Sequence, residues 1–439
     1  MKNSKKISAL LFSLISVLSL SSCNFFGDFS EEEDVEESGK RIVKIMFHVD
    51  SRTAEGKAYK ARIDAFNQAY EEEGIKASAT FKARTTGGAD YQQQLIALKT
   101  NGTLPDIITF DAPNCASYAE AGLLYNIDDQ VSEKDRSDFL SLNTYKGEVY
   151  GLPIQESSAG FFYNKKMFID AGIDASKWTV DNPWTFAEFK EVCQKLKNNG
   201  IATPVDMRFD ATKDEMGTYL LYPFIYAAGG QFVSEDGLTA KGYFNSDKTK
   251  AGFQFLKDLV DSGYTSYAVG ATDFYTQKTA MYLSSGWTIP EIESKYKEFF
   301  PDRNSWGLLP YPQQEKKASA TGSWSYGITI NHVKDKEAAL ELLSWMTTAQ
   351  SCNKVANSTG MVPVRRSCKP SYEEGSPEKV LFDQLDKTGI ARPETICYPQ
   401  FSSAFCNVIY KMRALDVSSA VESATTELQS ELDKKVQGK

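Results

Sequence analysis

The chain has 439 residues, enough for two domains of ordinary size, and its 41% hydrophobic and 24% charged content are typical of a folded globular protein. The formal net charge of −9 argues against nucleic acid as a partner, because an acidic chain repels phosphate. The sequence contains no H-E-x-x-H motif, no zinc-spaced cysteine pair and no phosphate-binding G-x-x-x-x-G-K-[ST] loop. We therefore expect no metal or other cofactor. His48 and His332 each follow a predicted strand, where structural roles are expected.

The N-terminus carries the pattern of an export signal. Three lysines within the first six residues precede an apolar run, Ile7–Leu20, that is too short to span a bilayer but is typical of a secretory signal. The run ends Leu20-Ser21-Ser22-Cys23, which resembles a lipobox. We expect cleavage after residue 22 and lipidation of Cys23. The alternative is an ordinary signal peptide with an incidental cysteine.

Residues 23–39 contain two acidic blocks and few apolar side chains, which predicts a lipidated, disordered tether. No later stretch is apolar enough for a membrane-spanning helix, so the lipid would be the only anchor. Six further cysteines allow fifteen pairings, and the sequence does not choose among them. Cys352 with Cys368, or Cys397 with Cys406, would close the shortest loops, and free buried thiols are an equal alternative.

The first part of the folded region alternates between strand and helix patterns. Apolar, β-branched runs predict strands at Ile42–Phe47, Lys76–Phe81 and Ile107–Phe110, and apolar residues at helical spacing separate them. This order predicts a parallel sheet with right-handed crossovers. Ligands of such sheets lie beyond the carboxyl ends of the strands, where this chain has Arg52 and Asp111. For Asp111 the alternative is a helix cap.

The stretch Phe161–Gly200 has unusually complete local signals. A short aromatic strand leads into a connector and then into a helix, for which Thr185 and Glu188 form a capping box. Asn199-Gly200 ends the helix. Four apolar residues at spacings of three and four predict its buried face: Phe186, Phe189, Val192 and Leu196.

Two sequence motifs in this region resemble those of a known protein family. Y-N-K-x-x-F-x-x-A-G-I-D begins at Tyr163 and W-T-F-x-E-F at Trp184. Further motifs of the same family occur at Gly147–Pro153, Ala228-Gly229-Gly230, Ala280–Trp287 and Gly360–Arg365. Together they resemble the extracellular solute-binding proteins of sugar-importing ABC transporters, the relatives of maltose-binding protein. The resemblance spans roughly residues 42–436.

The resemblance implies an α/β periplasmic-binding-protein fold of type II, with two discontinuous lobes, a hinge and a cleft between the lobes. The implied boundaries are 1–22 for the signal peptide, 23–39 for the tether, 40–157 with 305–349 for lobe one, and 158–304 with 350–439 for lobe two. The chain would cross between the lobes three times. Closure of the lobes on a ligand would create the form that a membrane permease recognises.

The implied function is capture of a sugar or short oligosaccharide by a monomeric, exported lipoprotein on the extracytoplasmic face of the cell membrane. Its partners would be the transmembrane subunits of an ABC permease that has a separate ATPase subunit. Two alternatives stay open: a secreted carbohydrate-active enzyme, which needs only two carboxylates, and a receptor for a non-sugar solute such as a polyamine or glycerol phosphate.

The chemistry of a sugar ligand indicates which kinds of side chain its binding site should contain. An aromatic plane covers the apolar face of a pyranose, while carboxylates and guanidinium groups bind its hydroxyls. Trp287 and Trp324 follow small residues in strands that the family directs into the cleft. For Arg365, a salt bridge across the hinge is an equal alternative to ligand binding. For Tyr226, the alternative to ligand binding is packing in the core. The candidate ligand residues are Arg52, Asp111, Glu156, Tyr226, Trp287, Trp324 and Arg365.

Overall fold

The computed structural model describes residues 39–83, 89–211, 214–322, 324–330, 335–368 and 371–438. The predicted signal peptide, Cys23 and nearly all of the tether lie outside these ranges, as does His332. Within the described ranges, no helix has both the length and the apolar character needed to cross a membrane.

Twelve β-strands are present in the described residues, and we number them β1 to β12 in chain order. Their bounds are Arg41–Phe47, Ile75–Phe81, Ile107–Asp111, Asn143–Tyr145, Glu148–Pro153, Ala159–Asn164, Val205–Asp206, Met281–Ser285, Trp306–Leu309, Ser319–Ala320, Trp324–Ile328 and Gly389–Ile390.

Fourteen α-helices are present in the same part of the chain, numbered α1 to α14 in order. Their bounds are Ala54–Ala69, Ala89–Thr100, Cys115–Glu120, Glu133–Asp138, Lys165–Asp170, Phe186–Asn198, Glu215–Ala227, Asp247–Asp261, Thr288–Lys295, Lys336–Met346, Ala349–Thr359, Pro377–Lys387, Tyr398–Lys411 and Val417–Gln437.

The first sheet has six strands in the order β2-β1-β3-β11-β5-β4. Strand β1 pairs in parallel with both β2 and β3, which confirms the parallel arrangement predicted for the first three strands. Strand β11 comes from a distant part of the sequence and pairs antiparallel with β3, with Trp324 opposite Asp111. Helices α1, α10 and α11 pack against this sheet and share one hydrophobic core, the first core.

The second sheet has four strands in the order β7-β8-β6-β9. Helices α6, α7, α8, α13 and α14 supply most of the second core, which covers one face of this sheet. A smaller cluster around Phe162, Tyr282 and Trp306 covers the other face. Strands β10 and β12 form a separate parallel pair.

Helix α6 forms as its local signals predict. The Thr185 side chain accepts a hydrogen bond from the Glu188 backbone N–H at 3.1 Å, and Glu188 Oε2 accepts from the Thr185 backbone N–H at 2.8 Å. This confirms the capping box. The four predicted apolar residues are all buried in the second core. Trp184, just before the cap, donates its indole N–H to the Pro310 carbonyl at 2.8 Å, which fixes the helix to the following strands.

Three connections between the two cores run side by side. The backbone N–H of Ile154 donates to the carbonyl of Trp324 at 3.0 Å. Glu156 and Val362 exchange two backbone hydrogen bonds, of 2.8 and 3.0 Å. The backbone between β5 and β6, between β10 and β11, and after α11 is therefore joined into one short bundle, as a three-stranded hinge requires.

The structure corrects two details of the predicted boundaries. The resemblance places residues 306–309 in lobe one, but strand β9 pairs with β6 in the second sheet, because a short run that is buried throughout can fit either sheet. Residues after 350 were expected in lobe two, but Cys352, Val355 and Val364 lie in the first core, since α11 packs against α1. The other boundaries stay predictions.

Candidate ligand-binding site

A cavity of about 150 Å³ lies where segments of both cores meet. One wall comes from the first turns after β3 and from the segment around β4. The opposite wall comes from the segment between β12 and α13, and two of the hinge connections form its floor. The lining residues are Ala112, Pro113, Cys115, Ala116, Ser141, Leu142, Asn143, Thr144, Glu156, Thr321, Gly322, Ala391, Arg392, Pro393 and Glu394.

Glu156 is the carboxylate of the cavity floor, and only 4% of the residue is exposed. The Ser141 hydroxyl donates to Oε1 at 2.7 Å, and the Gly322 backbone N–H donates to Oε2 at 3.1 Å. Burial raises the pKa of Glu156, although both hydrogen bonds act in the opposite direction. Each carboxyl oxygen thus accepts one hydrogen bond from the protein and has a further lone pair that a ligand hydroxyl could use.

Arg392 is the cation of this site, and its side chain is 4% exposed. Its Nη2 atom lies 3.2 Å from Asp111 Oδ1, and its Nη1 atom lies 2.5 Å from Glu215 Oε1. Asp111 ends β3 in the first sheet, whereas Glu215 begins α7 in the second core. The guanidinium group thus joins two carboxylates from the two sides of the cavity. A buried charge of this kind is tolerated only when it is paired.

Aromatic side chains surround the pair of Arg392 and Glu215. The Arg392 guanidinium lies 5.5 Å from the ring centroid of Tyr219 and 6.0 Å from that of Tyr398, whose hydroxyl donates to Glu215. Burial raises the pKa of Glu215, and the neighbouring Asp111 adds to this shift, while Arg392 opposes it. Of these residues, only Arg392 lines the cavity, and the two tyrosines are buried behind it.

Trp324, a predicted ligand residue, is not among the residues that line the cavity. His48 stacks on its indole with 3.5 Å between ring centroids and 4° between ring planes, and Tyr91 contacts it edge-on at 5.7 Å. Only 7% of Trp324 is exposed. His48 therefore covers one face of the Trp324 indole, and a contact between Trp324 and a ligand stays a prediction.

Trp287 and Tyr226 both border the second core. Trp287 is half-buried, and its ring centroid lies 6.2 Å from that of Tyr219, the residue beneath Arg392. It does not line the cavity itself. Tyr226 contacts Tyr222 and Phe232 edge-on, which favours the core alternative for this residue.

The two other predicted arginines are bound to carboxylates outside the cavity. Arg365 Nη1 lies 2.7 Å from Asp135 and 3.0 Å from Asp138, and its guanidinium lies over the Phe139 ring. This favours the salt-bridge alternative. Arg52 is largely exposed and pairs with Asp50 two residues before it. The structure thus brings together Asp111 and Glu156 near the cavity, with Trp287 one side chain away.

Sequence reasoning missed Arg392, Glu215 and Tyr398. Arg392 lies in the sequence Gly389-Ile390-Ala391-Arg392-Pro393, which shows no helical or strand periodicity and matches no motif of the family. Glu215 had one usable signal, because an acid in the first turn of a helix is favoured by the helix dipole. Among the described residues, no cluster of His, Cys, Asp and Glu has the arrangement to hold a metal ion.

Comparisons with known proteins agree with this architecture. The family of bacterial extracellular solute-binding proteins matches residues 61–379. A multiple sugar-binding protein of Streptococcus mutans is 21% identical over 336 residues, covering 69% of this chain and 75% of that protein.

Two solved structures show the same fold at low sequence identity. The cyclic alpha-maltosyl-1,6-maltose binding protein from Arthrobacter globiformis has a TM-score of 0.74 and 24% identity, covering 90% of this chain and 99% of that chain. UgpB from Mycobacterium tuberculosis, solved in complex with glycerophosphocholine, has a TM-score of 0.71 and 19% identity, covering 91% and 100%. These matches confirm the resemblance and the two-lobe α/β fold. The chain belongs to the bacterial extracellular solute-binding proteins.

Proposed function

We propose that this protein is the lipid-anchored receptor of an ABC importer, and that it captures a sugar or short oligosaccharide between its two lobes. It acts as a monomer on the extracytoplasmic face of the cell membrane and is held there through Cys23. It delivers its ligand to the transmembrane subunits of a permease with a separate ATPase subunit. It breaks no bond in the ligand.

One observation carries this proposal: the cavity between the two cores is lined by hydrogen-bonding groups and contains a buried carboxylate and a buried guanidinium group. A sugar presents hydroxyls that donate and accept, so it matches Glu156 and the pair of Arg392 and Asp111. The half-buried ring of Trp287, one side chain away from the cavity, would supply a stacking surface beside Tyr219 when the cleft opens. The sugar-binding proteins among its relatives support the same reading.

The cavity is smaller than the roughly 300–1,000 Å³ of a typical ligand pocket. Its volume of about 150 Å³ agrees with a closed arrangement, in which Arg392 reaches from the second side to Asp111 on the first. We expect the cleft to widen when this contact opens, and the ligand to enter at that stage. Closure around the ligand then restores contacts from both sides.

A titration followed by tryptophan emission tests the proposal. Monosaccharides, linear and cyclic oligosaccharides, glycerophosphocholine and a polyamine are each added to the purified protein. A saturable response in the micromolar range to a sugar supports the proposal, and Trp287→Phe is expected to reduce the response. A response only to glycerophosphocholine or the polyamine would favour the receptor for a non-sugar solute. Release of cleaved product would favour the enzyme.

A further inference from the structure

Two cysteine thiols lie at the beginning of helix α11. Cys352 is in the first turn of the helix and is fully buried in the first core, and Cys368 is half-buried against the same core. The Cys352 thiol donates to the carbonyl of Thr347 at 3.5 Å, and the Cys368 thiol donates to the carbonyl of Ala349 at 3.5 Å. These carbonyls belong to residues on either side of the helix cap Thr348. Both sulfur atoms therefore lie at the same helix end.

The segment that carries Cys368 is fixed in place on both sides. Asp138 accepts hydrogen bonds from the Ser367 backbone N–H at 2.7 Å and from its hydroxyl at 2.6 Å. Arg365 donates its Nε–H to the Thr347 carbonyl at 2.6 Å, the same oxygen that the Cys352 thiol contacts. The two thiols are thus held near each other by contacts that do not involve the thiols themselves.

Other cysteines are less suited to pairing. Cys397 and Cys406 are nine positions apart along α13, which places their backbones roughly 13 Å apart, beyond the reach of a disulfide. Cys193 lies in the second core, and Cys115 lines the cavity. Of the two short-loop pairings, only Cys352 with Cys368 places its sulfur atoms at one end of one helix.

We propose that Cys352 and Cys368 form an intramolecular disulfide once the protein has been exported. Members of an extracellular family work in an oxidising environment, where such bonds form and persist. The bond would join the first turn of α11 to the backbone that follows Arg365. It would therefore hold the end of the third connection between the lobes against the first core.

The oxidation is a thiol–disulfide exchange with a small disulfide such as oxidised glutathione. The more exposed Cys368 thiolate attacks one glutathione sulfur, forms a mixed disulfide and releases one glutathione thiolate. The Cys352 thiolate then attacks the Cys368 sulfur and releases the second glutathione. The two protons of the cysteines pass to the two released thiolates, so one dithiol is oxidised and one disulfide is reduced. Burial raises the pKa of both thiols, so we expect the exchange to be slow at neutral pH.

Peptide mapping of the purified full-length protein tests this proposal directly. The protein is equilibrated with oxidised and reduced glutathione, quenched with acid, denatured and treated with iodoacetamide before digestion. We expect one linked peptide pair that contains Cys352 and Cys368, two hydrogen masses below the sum of the separate peptides. Alkylation of both cysteines under these conditions, or a bond from either one to another cysteine, would overturn the proposal.

Thermal unfolding provides a second test with matched variants. A reductant is expected to lower the melting temperature of the oxidised wild type by roughly 5 °C, because the closed loop no longer restricts the unfolded chain. The double variant C352S/C368S should show no such decrease. Cys193→Ser removes a buried thiol of the second core and should keep the decrease. An equal response to reductant in wild type and double variant would contradict the proposed bond, and the mapping on wild type does not depend on whether the variants fold.

Discussion

Arg392 and Asp111 meet across the cavity, with the guanidinium Nη2 atom 3.2 Å from the carboxylate Oδ1 atom. They are 281 positions apart in the sequence and belong to elements packed on different cores. Glu215 completes the group on the second side. The contact joins elements of the two sides, and of its two residues Arg392 lines the cavity.

Replacing Arg392 with methionine should strongly destabilise the fold. The change leaves the largely buried carboxylates of Asp111 and Glu215, 12% and 15% exposed, without their shared cation, which costs about 3–5 kcal/mol in comparable buried pairs. Urea unfolding at pH 7 measures the loss. Arg366→Met is the matched control, since Arg366 forms an exposed pair with Asp386 and should change the free energy of unfolding by less than ~1 kcal/mol. Equal effects of the two substitutions would contradict the buried pairing.

Asp206→Asn should stabilise the protein at high pH. Burial raises the pKa of Asp206 from 3.8 to about 6, so the folded protein holds this proton more tightly than the unfolded chain. The resulting stabilisation is complete below pH 4 and is lost as the pH rises through 6. At pH 8 the neutral asparagine should therefore gain up to about 3 kcal/mol over the wild type, a difference that shrinks as the pH falls to 4.

The measurement for Asp206→Asn is urea unfolding at several pH values. Asp210→Asn is the control, because Asp210 is a more exposed carboxylate four residues further along the chain and pairs with Arg208. We expect its effect to stay below ~1 kcal/mol throughout this range. A constant difference between Asp206→Asn and wild type at all pH values would show that burial of the carboxylate is not the cause.

Thr185→Ala should weaken the start of helix α6. The substitution removes the hydroxyl that accepts the Glu188 backbone N–H, and losing such a cap costs about 1 kcal/mol. Chemical unfolding measures the change. Thr426→Ala is the control, since its exposed hydroxyl only contacts the carbonyl one turn earlier within α14. If both alanine variants were as stable as the wild type, the capping box would have no energetic role.

Glu156→Gln should weaken ligand binding more than it affects folding. The amide keeps the size of the side chain but removes the charge from the acceptor at the cavity floor. Hydrogen bonds to charged groups contribute about 1.5–3 kcal/mol, so we expect affinity to fall roughly tenfold to a hundredfold. Calorimetric titration measures the affinity, with Glu341→Gln on the exposed side of α10 as control. Unchanged affinity would remove Glu156 from the site.

Local sequence patterns predicted most of the helices and strands, but not always the sheet or core that each one joins. The capped helix α6 and the first three strands follow from short-range signals, so their prediction needed no knowledge of the fold. The resemblance places residues 306–309 in lobe one, whereas they pair in the second sheet, because a short buried run gives no signal for its partner strand. Similarly, the sequence of α11 predicts an apolar face but does not indicate which of the two cores that face packs against.

The site was harder to predict than the fold because its contacts join distant residues. Asp111 was a candidate because it follows a predicted strand, and Glu156 because it lies where the resemblance places a connection between the lobes. The role of Arg392 depends on two carboxylates far away in the sequence, which no period or spacing can reveal. The stacking of His48 on the Trp324 ring is likewise a contact between distant residues, which the sequence pattern does not show.

The most direct test of the central claim is a calorimetric titration of the purified protein with individual sugars, followed by chromatography of the mixture. We predict saturable binding of one sugar or oligosaccharide per protein in the micromolar range, with the sugar recovered unchanged. Absence of binding across the sugar panel, or recovery of a cleaved sugar, would contradict a receptor that holds its ligand between two lobes.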